Sequence, residues 1–119
     1  MKPAICTSFD YNLPFPRAVE MIAAAGFEVV ALGGRPGHSG YATAEGRAGI
    51  RRLMEEHGLT IDSVHAPFPE GDRLFSLDDA ERAESVRLCQ FAMDAASELE
   101  SRTVVIHLIQ PYGIPEGDT

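Results

Sequence analysis

The sequence predicts a parallel α/β fold built from repeated strand-and-helix units. Four hydrophobic, strand-like runs make up nearly the whole chain, and each but the last is followed by a helical pattern. Two of the runs end in histidine, SVHAPF at His65 and VVIHLI at His107. A closed (β/α)8 barrel takes roughly 250 residues, and this chain has 119. The expectation is therefore a half-barrel, about four of the eight βα units, forming one domain that stops after the fourth strand.

The first strand is expected over Pro3 to Phe9. The turn-rich DYNLP follows, with Asn12 as the preferred cap of a helix that opens on Pro14 and Pro16. Phe15, Val19, Ile22 and Ala23 recur at helical spacing, Gly26 reads as a left-handed stop, and FEVVAL supplies a second strand over Phe27 to Leu32. Gly33, Gly34, Pro36, Gly37 and Gly40 mark a loop. Thr43 then offers a cap to a helix with Ile50, Leu53 and Met54 on its apolar face, closed by Gly58. The third strand runs from Ile61 to His65 and ends at Ala66-Pro67-Phe68-Pro69. After a long loop, Ser76 and Asp79 form a capping box for a helix reaching about Leu99, with Cys89, Ala92, Met93, Ala96 and Leu99 on one stripe. The fourth strand is Thr103 to Leu108, and Ile109 to Thr119 reads as a loop. An open flavodoxin-like or Rossmann sheet is built from the same units; the absence of GxGxxG after the first strand weighs against dinucleotide binding.

Composition narrows the partners. The chain is 45% hydrophobic and 24% charged, an ordinary globular balance. With 18 acidic against 10 basic residues its net charge is −8, so the average field repels nucleic acid and anionic membrane surfaces. Cys6 and Cys89 have neither CxxC spacing nor the density of a disulfide scaffold and are expected as reduced, packed thiols. No apolar stretch approaches the roughly 18 residues of a membrane span, and a cytoplasmic location is expected.

In parallel α/β folds the active site gathers at the carboxyl ends of strands. On period two, Ile61, Ser63 and His65 share one face, as do Thr103, Val105 and His107, while Val64 and Ile106 point to the helices. Adjacent strands lie about 4.8 Å apart, which lets two imidazoles reach one metal ion or one sugar hydroxyl. The bland alternative makes each a core histidine bonded to backbone. Asp10 is available to substrate polar groups. His38 and Arg35 lie in a glycine-rich loop that permits close approach of an anion, or that is simply a surface loop. His57 suits a helix C-terminus; Glu70, Asp72, Glu116 and Asp118 read as solvated. A zinc site wants three or four protein ligands, and two good ones are visible. There is no nucleophile elbow and no HExxH helix.

The segments AAAGFEVVAL, HGLTIDSVHAPF and RTVVIHLI together resemble the xylose isomerase-like superfamily of TIM barrels, over essentially the whole chain and its first four βα units. That resemblance implies sugar or sugar-phosphate isomerase or epimerase chemistry, or that of the apurinic endonucleases. By position, His65 and His107 match histidines that bind zinc in the endonuclease branch and contact substrate in the isomerase branch. Where many members carry a glutamate near the end of the second strand, this chain has Ala31 and Leu32. The family's metal-binding and proton-moving carboxylates, borne on strands five to eight, have no counterpart here.

The leading expectation is thus an isomerase- or epimerase-like protein for a small carbohydrate, inactive as this chain alone. Its substrate residues are His65, His107, Asp10, His38 and Arg35, and His65 and His107 are ligands of a divalent metal (Zn, Mn or Mg) whose ligand set is incomplete. The rivals are a zinc phosphoesterase and a non-catalytic half-barrel that self-associates through its open edges and apolar inner face, forming a homodimer or higher assembly.

Overall fold

The computed structural model describes residues 1–108; the loop expected beyond Leu108, with Glu116 and Asp118, lies outside them. The strands are β1 (Ala4–Cys6), β2 (Val29–Leu32), β3 (Thr60–His65) and β4 (Thr103–Val105), and the helices are α1 (Phe15–Ala24), α2 (Pro36–Ser39), α3 (Ala44–His57) and α4 (Asp79–Glu98). All neighbours pair parallel, in the order β1-β2-β3-β4. That order advances one strand at a time without the reversal of a doubly wound sheet, so the open flavodoxin-like alternative falls and the half-barrel stands.

Helix stops behave as their residues dictate. Gly26 and Gly58 follow α1 and α3 at φ of 91° and 65°, and Thr43 Oγ1 accepts the Gly46 N–H at 3.0 Å. Two other caps differ from expectation. The residue before α1 is Pro14, and Asn12 caps nothing: its own N–H donates to Asp10 Oδ1 at 2.9 Å. At α4 the cap is Asp78, whose carboxylate accepts the Glu81 N–H at 2.8 Å, while Ser76 donates to the Glu81 side chain. Proline at α1 removes N–H groups that a cap would serve, and α4 begins at Asp79, which puts Asp78 and not Ser76 in the position before it. Met93 also leaves the expected apolar stripe and is exposed.

One buried layer lies between sheet and helices. Val30, Leu32, Ile61 and Val64 meet Phe15, Val19 and Ile22 of α1, Ile50 and Met54 of α3, and Cys89, Ala92, Ala95 and Ala96 of α4. Ile61 belongs to this layer because the ladder slips: Val30 pairs with Ile61, but Ala31 pairs with Ser63. Asp62 is the extra residue of a bulge. Strict alternation from Ile61 to His65 is therefore broken, and only Ser63 and His65 keep the inner face. The fourth strand ends at Val105 and not at Leu108. Among the described residues, no helix is long and apolar enough to cross a membrane.

The α3 and α4 ends are joined by Arg47, whose Nε and Nη2 donate to Glu98 Oε2 and Oε1 at 2.7 and 2.9 Å, while Nη1 donates to the Tyr41 carbonyl at 3.1 Å. These bonds hold the Glu98 carboxyl below its ordinary value of 4.5. A folded-state value that is depressed adds stability above the unfolded value and loses it as pH falls through the folded one. The urea midpoints of wild type and Glu98→Gln should therefore differ at pH 7 and converge as pH drops below 4.5.

Candidate functional site

His65 closes β3, and His107 lies two residues past β4 on the same face of the sheet; the Ala66 N–H donates to the Val105 carbonyl at 2.9 Å, which keeps the two strand ends side by side. Their Nε2 atoms approach to 3.3 Å, with the rings 4.8 Å apart and nearly perpendicular at 82°. Phe68 packs its ring edge-on against both imidazoles. His65 Nδ1 donates to the Ala66 carbonyl at 2.7 Å, and His107 Nδ1 donates to Asp72 Oδ2 at 3.2 Å. The Tyr41 hydroxyl, fully buried, donates to the His65 carbonyl at 2.7 Å and fixes the strand end from behind. Burial pushes the Tyr41 phenol far above its usual pKa, so it stays a donor.

Gly34 shows how tightly this corner is built. A Cβ there would stand 2.7 Å from the Ala66 carbonyl oxygen and 2.8 Å from His65 Nδ1, inside the hydrogen bond that orients the ring. Only glycine lets the chain pass so close.

The pair opens on a cavity of about 390 Å³ that is also lined by Cys6, Ser8, Tyr11, Arg35 and Phe68. A neighbouring groove of about 1000 Å³ shares Tyr11, Gly34, Arg35 and Phe68 and continues over Phe15 and His38. The smaller cavity is the candidate site, because the strand-end imidazoles, Arg35, Tyr11 and Ser8 converge on it at the carboxyl ends of the strands. Arg35 lies on the wall between the two, its guanidinium 4.5 Å from the Tyr11 ring centroid. Burial raises the Tyr11 phenol, and the nearby Cys6 adds to that.

The expected site residues divide. His65, His107 and Arg35 reach one cavity. His38 does not: its Nε2 donates to the Leu13 carbonyl at 2.8 Å and its ring packs on Tyr11 and Phe15, so its place is structural. Asp10 is occupied with the Asn12 N–H and lines neither cavity. Sequence reasoning missed Ser8, Tyr11 and Phe68, which line the cavity, and it missed Asp72. Read as solvated, it is 3% exposed and sits behind His107. Its only sequence signal was a glycine-turned PEGD loop directly after a strand-end histidine.

Metal fit follows from the same distances. Two ligands of a tetrahedral zinc with nitrogen bonds of about 2.05 Å stand about 3.3 Å apart, which equals the observed separation. Imidazole nitrogens suit zinc better than magnesium, which prefers oxygen. Among the described residues no group of three or more histidine, cysteine, aspartate or glutamate side chains could hold a metal ion; the pair fits as two ligands of a larger set.

Parallel βα units that advance one strand at a time, with two imidazoles gathered at their carboxyl ends, define part of a barrel of the TIM class. A family model described as a xylose isomerase-like TIM barrel matches residues 19–118, and the chain belongs to that family. Among solved structures it is similar to a D-psicose 3-epimerase crystallised in the presence of D-fructose, with a TM-score of 0.70 and 20% identity, over 97% of this chain and 41% of that one. It is also similar to the D-psicose 3-epimerase of Clostridium cellulolyticum H10 with D-tagatose, with a TM-score of 0.67 and 17% identity, over 87% and 36% of the two chains. At these identities the likeness is one of fold, and the chain spans less than half the length of either. No curated protein matches the sequence.

Proposed function

We propose that this chain carries the substrate-facing wall of a sugar or sugar-phosphate isomerase or epimerase, with His65 and His107 contacting the substrate and supplying two nitrogens to a divalent metal ion. The observation that carries this reading is the convergence of the two Nε2 atoms at 3.3 Å, at the carboxyl ends of neighbouring strands and on the edge of a cavity. The likeness of fold to D-psicose 3-epimerases supports a ketose as the class of substrate. A bound metal supplies polarisation of a carbonyl or hydroxyl oxygen. Arg35, Tyr11 and Ser8 bind and orient the sugar's oxygens, and Phe68 walls the imidazoles. Moving a proton between adjacent carbons takes a base and an acid close to those carbons, and among the described residues no carboxylate lines this cavity. In this reading the chain binds and orients, and the proton-moving groups belong to the remaining strands of a complete barrel.

The zinc phosphoesterase is the second reading, favoured by the tetrahedral spacing of the two nitrogens and opposed by the charge of −8. Self-association is proposed as well, since among the described residues β1 and β4 each pair on one side only and Val105 of β4 is 37% exposed.

Titration of the isotope-labelled chain separates the enzymatic readings. Zinc should shift the amides around His65 and His107, and D-fructose or D-tagatose should then shift those around Tyr11 and Arg35. Zinc binding without a response to ketose, together with hydrolysis of a simple phosphodiester, would reject the isomerase reading for the phosphoesterase.

A further inference from the structure

We infer that Asp72 is a positioning residue that keeps the His107 proton on Nδ1, so that His65 and His107 both present bare Nε2 lone pairs to the cavity. The inference deepens the proposed function and rests on its reading of the histidine pair as the working centre.

A buried aspartate is uncommon unless something holds it, and here the backbone on both sides is pinned. The Gly71 N–H donates to the Pro67 carbonyl at 2.8 Å and the Asp72 N–H to the Pro69 carbonyl at 3.1 Å. Ser85 of α4, fully buried, donates to the Gly71 carbonyl and accepts the Arg73 N–H at 3.1 Å. The loop is thereby clamped to α4, and Asp72 is carried to where its carboxylate meets His107 Nδ1.

The chemistry then follows from donor and acceptor counting. A carbonyl and a carboxylate only accept, and a neutral imidazole has one donor and one acceptor. The Ala66 carbonyl claims the His65 proton at Nδ1, and Asp72 claims the His107 proton at Nδ1. With both imidazoles neutral, no proton remains to lie between the two Nε2 atoms, which stand 3.3 Å apart. Without Asp72 the pair has another choice: His107 can carry its proton on Nε2 and donate it to His65 Nε2, closing the site with its own hydrogen bond. A bond to a charged acceptor is roughly twice as strong as a neutral one, so Asp72 decides between the two tautomers. What the open pair takes is an electron-pair acceptor, a divalent cation or the hydroxyl hydrogens of a sugar.

The test reads the tautomer directly. Long-range proton–nitrogen correlation spectra of the labelled chain at pH 8, where a free imidazole is neutral, with His107 assigned by His107→Gln, should show the Nδ1–H form in wild type and the Nε2–H form in Asp72→Asn. Zinc affinity measured on the same samples should fall by about 10- to 100-fold, the usual effect of losing such a partner. An Nε2–H wild type overturns the inference even where the variant fails to fold, and so does an Asp72→Asn variant that keeps the Nδ1–H form. A tautomer switch in a chain that binds no zinc upholds the role of Asp72 and rejects the metal reading. Zinc binding with an unchanged tautomer does the reverse.

Discussion

Replacing His65 and His107 together by alanine should abolish divalent-metal binding to this chain, and each single replacement should weaken it by at least about 100-fold, beyond the usual effect of losing a supporting partner. With two nitrogens 3.3 Å apart and no group of three candidate ligands among the described residues, no third side chain is at hand to compensate. The two single variants should nevertheless differ in stability. His65→Ala frees a neutral acceptor, the Ala66 carbonyl, which costs less to leave unpaired than a charged one. His107→Ala leaves the Asp72 carboxylate, 3% exposed, without its donor, which costs about 1–3 kcal/mol or more for a charged group. Calorimetric titration with zinc reads the first effect and urea unfolding the second. Equal zinc affinity in the double variant and wild type would remove the pair from the site, and equal urea midpoints for the single variants would remove Asp72 from contact with His107.

The second large effect is structural. Gly46→Ala should cost about 3 kcal/mol, at the upper end of overpacking penalties, and lower the melting temperature by roughly 10 °C for a domain of this size. A Cβ on Gly46 collides with the backbone of Gly40, and neither backbone is free to yield. Gly40 sits at φ of 89° with its N–H on the Pro36 carbonyl at 2.6 Å, and the Gly46 N–H is held by Thr43. Tyr41 lies inside that turn, so forcing it apart also loosens the hydroxyl under the His65 carbonyl. Zinc affinity should fall with stability, though less than in the histidine variants. A thermal melt within a degree of wild type would show that α3 does not approach the Gly40 turn this closely.

Much of the architecture was readable along the chain because it depends on neighbours in sequence. The AAAGFEVVAL and EEHGLTIDSV joints place a helix, a glycine in the left-handed region and a strand in succession, and backbone sterics alone decide such a joint. Strand-end histidines were legible for the same reason. The bulge at Asp62 was not, since an extra residue in a ladder is defined only by the partner strand. Caps failed where two local candidates competed, as Ser76 and Asp78 did.

What the string of residues settled unaided was the succession of βα units and the presence of His65 and His107 at matching strand ends. What waited for the packed chain was which groups meet. His38, chemically as suited to a site as His65, turns to the Leu13 carbonyl, while Asp72, one more acid in a polar loop by its letters, is carried beneath His107 by a clamp from Ser85 across a separation no periodicity encodes. Secondary structure follows from torsions and short-range bonds within a few residues, whereas a site is made of side chains that only long-range packing brings within 3 Å or so of each other.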